Sequence, residues 1–300
     1  MKIIFFGYKG WIGSNFLKIL QDKYGNDSII TPDIRVDNIN AIELCIKDIK
    51  PTHVISFIGR THGIHNNVKY STIDYLEQKG KLKENVNDNL FCPTILALLS
   101  VKYNFHFTYL GTGCIFTEKQ HENINNSIGY NEDSLPDFFG SSYSTVKGFT
   151  DRLMHMFDNV LNLRIRMPIS SEVNPRNFIT KITNYEKICS INNSMTVLDE
   201  LLPLICDMLD NNTTGTINFT NPGTISHNEI LELYKEIVDN EFTWKNFTLE
   251  EQSTILASER SNNKLQTTKL ETIFPNILSI KDSIKNILIN YKKNYIKNKL

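Results

Sequence analysis

The first apolar run, Ile3-Ile4-Phe5-Phe6, shows no polar alternation, the pattern of a strand buried on both faces. Gly7 to Gly13 ends it, and a helical pattern follows to about Lys23. Ser28-Ile29-Ile30 reads as a short second strand. Apolar residues at 39, 42, 46 and 49 mark one face of a helix over 38–50, which Pro51 stops. His53 to Gly59 reads as the next buried strand. Arg60 to Gly80 has no period and predicts an irregular insertion placed to overhang a site. A helix over 80–103 follows, with a bend or local break at Pro93, and then a strand over 105–110. A long polar loop leads through Pro136 and Gly140 to a helix that starts at Ser141, and 159–166 reads as a strand. Beyond it the pattern predicts helices over 174–187, with Pro175 in the first turn, and over 199–211. A strand over 216–219 and a Ser226-x-x-Glu229 capping box opening a helix through Val238 complete the series. Strands alternating with helices give an α/β chain with a doubly wound parallel sheet and a smaller C-terminal lobe.

The 32 basic and 33 acidic side chains balance, which argues against a nucleic-acid or membrane-surface partner. The lysines between Tyr291 and Lys297 read as a frayed helix end. Five scattered cysteines have no metal-ligand spacing, and their odd number argues against a disulfide framework. No metal and a reducing cytoplasm are expected. The apolar run after Met1-Lys2 is too short for a signal segment or a membrane span.

The glycines at 7, 10 and 13 stand between a buried strand and a helix. That context suits dinucleotide binding: one glycine allows the tight turn, one lets backbone approach a pyrophosphate, and one lets helix and strand pack. Trp11 and Ile12 belong to the same loop, and Gly59 ends the neighbouring strand. No acidic residue clearly ends the second strand to hold a ribose 2′-hydroxyl, and Lys9 and Arg35 are placed to face a 2′-phosphate. The cofactor is therefore read as NADPH, with NADH as the alternative, Asp37 near the adenine and Met167 at the nicotinamide end. Tyr143 and Lys147 lie one turn apart at the start of a helix, and Thr112 ends a strand. A lysine that favours phenolate, with a threonine on the same carbonyl, suits ketone reduction. Tyr75/Lys79 and Tyr295/Lys299 share the spacing, but only Tyr143 opens a helix behind a strand and a long loop.

Gly-x-x-Gly-Trp-Ile-Gly at 7–13, Thr-Gly-Cys-Ile-Phe at 112–116 and Tyr-x-x-x-Lys at 143–147 resemble the extended short-chain dehydrogenase/reductases. The runs 164–171, 174–181, 193–203 and 242–252 resemble, more narrowly, the plant nucleotide-rhamnose synthase epimerase/reductases. The resemblance implies a Rossmann-like dinucleotide-binding domain over 1–166. It also implies a mainly substrate-binding lobe over 167–300, with some segments returning to the sheet. The implied activity is conversion of UDP-4-keto-6-deoxy-D-glucose to UDP-L-rhamnose, by epimerisation at carbons 3 and 5 and NADPH-dependent reduction at carbon 4. Thr112, Tyr143 and Lys147 fall on the family's catalytic residues, while Cys114 matches the epimerisation acid of the similar GDP-fucose synthases and Lys181 resembles its partner in the plant enzymes. Asn177, Trp244, Arg260 and Asn262 are expected at the substrate. A homodimer through the helices starting at Gly80 and Ser141, and an upstream nucleotide-glucose 4,6-dehydratase as functional partner, follow by the same analogy. Residues 61–80 depart from the plant pattern and leave UDP against dTDP open. The competing readings are a dTDP-4-keto-rhamnose reductase without epimerase activity and a catalytically inactive nucleotide-binding regulator.

Overall fold

A computed structural model describes residues 1–118 and 121–299. Its first unit comprises 1–115, 135–164 and 202–217, and its second 116–134, 165–201 and 218–300. Strands β1 (Ile3–Phe6), β2 (Ile29–Ile30) and β3 (His53–Ser56) alternate with helices α1 (Trp11–Tyr24) and α2 (Ile39–Ile49). Next come a hairpin of β4 (Gly63–His65) and β5 (Val68–Tyr70), helices α3 (Leu82–Val86) and α4 (Cys92–Tyr103), and β6 (His106–Thr112). Helix α5 (Ser142–Met154) and β7 (Val160–Ile165) precede α6 (Phe178–Ile182), α7 (Leu198–Asp210) and β8 (Gly215–Asn218). Helices α8 (His227–Ile237), α9 (Leu249–Ile255), α10 (Thr268–Ile273) and α11 (Ile280–Lys299) follow.

Six strands form one sheet in the order β2-β1-β3-β6-β7-β8. The pairs β1–β2, β1–β3 and β3–β6 are parallel, with Ile3 opposite both Ile29 and His53, and Val54 opposite Phe107. This is the expected Rossmann-like sheet. β1 is apolar without alternation and wholly buried, because both faces are covered. Ile4, Phe6, Val54 and Phe107 pack with Ile42 and Ile46 of α2 and with Leu96 and Leu99 of α4. In the second unit Ile225, Ile230, Tyr234, Ile284 and Leu288 form a separate core. Among the described residues no helix is long and apolar enough to cross a membrane.

Three segments depart from the sequence reading. Residues 60–80 are not wholly irregular: β4 and β5 pair antiparallel across Asn66 and Asn67, both with left-handed φ of 48° and 63°. Asparagine tolerates that conformation, so it can close a tight hairpin in place of glycine. The expected break near Pro93 lies before it, in one wide π turn over Asn87–Phe91, where Cys92 N–H bonds back to Asn87. The 174–187 helix shrinks to Phe178–Ile182, because Asn177 caps it and the preceding turn bonds Asn177 N–H to the Asn174 carbonyl.

Candidate active site

The loops after β1, β3 and β6 lie at one end of the sheet, beside the place where the chain moves from β2 on one flank of β1 to β3 on the other. Ligands of doubly wound sheets bind at such a switch point. The three glycines differ in what they require. Gly7 has φ of +82°, and a Cβ there would lie 2.6 Å from the Phe57 carbonyl carbon. A Cβ on Gly13 would lie 2.1 Å from the Gly7 oxygen, so that glycine is needed for packing. Gly10 has an ordinary φ of −71°, and a Cβ there would meet only the Gly7 oxygen, at 3.3 Å. That contact is tight, so packing favours glycine here as well. The small residue also leaves backbone exposed at the N-terminus of α1, where Trp11 and Ile12 open the helix, and a dinucleotide pyrophosphate suits such a cradle. Gly59 leaves room for the Asn89 side chain, 3.4 Å from where its Cβ would be.

The cations expected at the 2′-phosphate already have carboxylate partners. Lys9 Nζ lies 2.7 Å from Asp33 Oδ1. Arg35 grips Asp37 through Nε and Nη2 and stands 3.6 Å from Asp88, which also pairs with Arg60 at 2.8 Å. Asp37 is thereby tied to Arg35, which holds its carboxyl below the usual range.

Thr112 ends β6 and Tyr143 sits in the first turn of α5, whose N-terminus Ser141 caps by accepting from Ser144 N–H. Thr112 Oγ1 accepts the Cys114 N–H at 3.0 Å, and its side chain also bonds the Tyr143 phenol. Burial and the neighbouring Cys114 push that phenol well above its ordinary pKa, so it is a protonated donor. Lys147 was expected to lower the Tyr143 pKa. Its Nζ instead hydrogen-bonds the Tyr109 hydroxyl and lies 4.5 Å from the Tyr109 ring centroid. Burial lowers the Lys147 pKa to about 7, against the opposing pull of Asp151 and Cys114. One turn further along α5, Asp151 makes a two-point pair with buried Arg164 of β7, at 2.9 and 2.7 Å.

The insertion packs against this group. Tyr75 and Leu76 cluster with Tyr143, flanked by Tyr70, Ile73 and Cys114. Glu77 accepts from Ser142 N–H at 2.8 Å, placing a carboxylate at the helix N-terminus.

In the second unit Lys181 is largely buried, and desolvation, followed by the charges of Arg176 and Arg260, lowers its pKa. Arg260 also donates to the Ser258 carbonyl at 3.0 Å. Met167 adopts an uncommon φ of +40° directly before Pro168. Three residues expected at the substrate have hydrogen-bond partners within the protein. Asn177 is fully buried and donates to the Ser170 and Glu172 carbonyls while accepting from Ile179 N–H, which exhausts its donors. Trp244 donates its indole N–H to Asn228 at 2.9 Å and stacks on Phe242. Asn262 is buried in a network with Asn193, which donates to it at 2.9 Å. Tyr109, Asp33 and Asp88 were not read from the sequence, since each becomes relevant only through a partner distant in the chain. Among the described residues no group of three His, Cys, Asp or Glu side chains could hold a metal ion.

The sheet, the glycine cradle and the Thr-Tyr-Lys set define a dinucleotide-dependent enzyme of the extended short-chain dehydrogenase/reductase class. No family model matches the chain. It is 55% identical over 293 residues to the L780 protein of Acanthamoeba polyphaga mimivirus, covering 97% of this chain and 99% of that one. The crystal structure of the L780 UDP-rhamnose synthase matches with a TM-score of 0.92 at 54% identity, over 97% of this chain and 99% of that chain. The bifunctional dTDP-4-dehydrorhamnose 3,5-epimerase/dTDP-4-dehydrorhamnose reductase of Arabidopsis thaliana is 41% identical over 301 residues, 98% of this chain and 95% of its own. The dTDP-4-dehydrorhamnose reductase of Bacillus anthracis, solved in complex with NADP, shares the fold at 18% identity and a TM-score of 0.77, over 96% of this chain and 99% of that one. This chain belongs to the nucleotide-rhamnose synthase epimerase/reductase family.

Proposed function

We propose that the protein converts UDP-4-keto-6-deoxy-D-glucose to UDP-L-rhamnose, as a 3,5-epimerase and an NADPH-dependent 4-keto-reductase. The observation that carries this reading is the grouping of Thr112 and Cys114 around the buried Tyr143 phenol. A ketone at carbon 4 acidifies the hydrogens on carbons 3 and 5, because loss of either gives an enolate with its charge on the carbonyl oxygen. The hydroxyls of Tyr143 and Thr112 stabilise that oxygen during enolate formation and protonate it during reduction. NADPH, when bound, supplies the hydride for carbon 4. The 7–13 loop holds the pyrophosphate, Lys147 and Met167 serve the nicotinamide end, and Gly59 lines the path between. Epimerisation also needs an acid and a base. Cys114 is the acid, and Lys181, whose pKa burial and two arginines lower, is the base. Asn177, Trp244, Arg260 and Asn262 are the substrate-binding candidates.

UDP is preferred over dTDP because the relative at 54% identity is a UDP-rhamnose synthase. The 4-keto-6-deoxy sugar implies a nucleotide-glucose 4,6-dehydratase acting upstream. Five free cysteines fit a reducing cytoplasm. A homodimer is supported by the apolar surface of α4, α5 and the turn after it: Leu98, Val101, Phe149 and Met156 are more than half exposed. Phe149 and Met156 also line a groove of about 380 Å³ with Leu90, Arg152 and Leu153.

The test is exchange in deuterated water without NADPH, followed by NMR. The native protein should place deuterium at carbons 3 and 5 of the keto sugar, and Cys114→Ser and Lys181→Ala should each slow this by about tenfold or more. Absence of exchange in the native protein would leave a reductase without epimerase activity. Unchanged exchange in both variants would move the acid and base elsewhere.

A further inference from the structure

We propose that Glu77 is a positioning residue for the reaction: it ties the 61–80 insertion to the first turn of α5 and so fixes where the Tyr143 phenol stands opposite Thr112. This rests on the epimerase/reductase reading above and adds a residue which that reading does not use. The first N–H groups of a helix have no partner within it. At α5 the Ser141 side chain takes the one on Ser144. The one on Ser142 is taken from far along the chain: it donates to Glu77 Oε1 at 2.8 Å, and the Ser142 hydroxyl donates to the same oxygen at 3.0 Å. Asn85 of α3 in turn donates to the Ser142 hydroxyl at 3.2 Å. These bonds converge on the residue directly before the phenol.

The insertion at the other end of the tie is braced. Tyr75 and Leu76, directly before Glu77, are buried and pack on Tyr143. Tyr75 donates its hydroxyl to Glu84 of α3 at 2.6 Å, and Lys81 pairs with the same carboxylate at 2.6 Å. A Cβ on Gly63 of β4 would lie 2.4 Å from the Tyr75 ring, so the hairpin presses on that ring as well. Glu77 thus carries the position of a braced insertion to α5, whereas Thr112 belongs to β6. The phenol and the threonine hydroxyl reach one carbonyl oxygen only while these two elements keep their spacing, and a misplacement of about 1 Å can cost on the order of a hundredfold in rate. With the Glu77 acceptor removed, the Ser142 hydroxyl turns to the Leu76 carbonyl, 3.3 Å away, and the Ser142 N–H to water, so the first turn loosens.

Steady-state reduction and NADPH-free deuterium exchange, both measured on the full chain with UDP-4-keto-6-deoxy-D-glucose, test this. Glu77→Ala should lower kcat for reduction and the exchange rate by the same factor, about tenfold or more, because one phenol serves both, while KM stays within about threefold of native. Glu77→Gln keeps an oxygen acceptor at the same reach and should restore both rates to within about threefold of native. Should Glu77→Ala not fold, Ser142→Ala removes one of the two bonds from the other side and should lower both rates together by roughly threefold. Variants that lose only melting temperature, with native rates per folded molecule, or that lose reduction alone, would overturn the inference and leave the epimerase/reductase reading intact. A native protein that carries out neither step would overturn both.

Discussion

Lys147 is an ammonium on a side chain that is 4% exposed, with a phenol rather than a carboxylate as its hydrogen-bond partner. Water stabilises the charged form in the unfolded chain, and the interior does not, which is why the pKa falls from 10.5 to about 7. The unfolded chain then binds more protons than the folded one between those values, so the residue's destabilising effect is full below pH 7 and fades as pH rises from 7 towards 10.5. Lys147→Met fills the same space without a charge. It should raise the melting temperature, most at pH 6 and least near pH 10, while turnover is lost. An unchanged or lower melting temperature at pH 6 would contradict this account. At this scale Thr112, Cys114 and Tyr143 were legible because a strand end and a helix start are local features of the chain. Tyr109 and Asp33 were not, since one meets Lys147 across 38 positions and the other meets Lys9 across 24.

Between α3 and α4 the chain stays helical through one wide turn, and Pro93 follows it. Pro93 has no N–H to return to the preceding turn, and the Asn89 carbonyl receives the Thr150 hydroxyl of α5 instead, at 2.6 Å. Thr150 is fully buried, so Thr150→Val leaves that carbonyl without its donor and should cost about 1–3 kcal/mol in denaturant unfolding. In a Pro93→Ala background, where a backbone N–H returns, the cost should fall by about 0.5 kcal/mol or more. Equal costs in both backgrounds would show that Thr150 does not compensate for the proline. Proline's effect was legible as a break, but its position was not, because the wide turn is set by packing against α5. The β4–β5 hairpin was missed for a related reason. Its strands are three residues each, too short to show alternation, and its turn has asparagines where glycine would have signalled it. The 174–187 helix was overread because a cap buried by tertiary contacts, Asn177, starts it late.

For the molecule as a whole, the strand–helix alternation sufficed to foresee the sheet, although only β1 carries the uninterrupted apolar run of four residues that a strand covered on both faces can show. The exposed face of α4 and α5 is the feature that alternation does not interpret. If that face joins two copies, Phe149→Glu should convert a dimer into a monomer in sedimentation at micromolar concentration, with the helical circular dichroism unchanged. A native protein that already sediments as a monomer would remove the proposal. The division of the chain bears on how it is made. Residues 202–217, including most of α7 and β8, belong to the same unit as the glycine loop and Tyr143. On a ribosome, which releases the chain from its N-terminus, this unit cannot close its sheet until residue 217 has emerged, by which time much of the second unit's chain is already out. A product truncated after residue 166 lacks this returning segment and should show no cooperative thermal transition of its own.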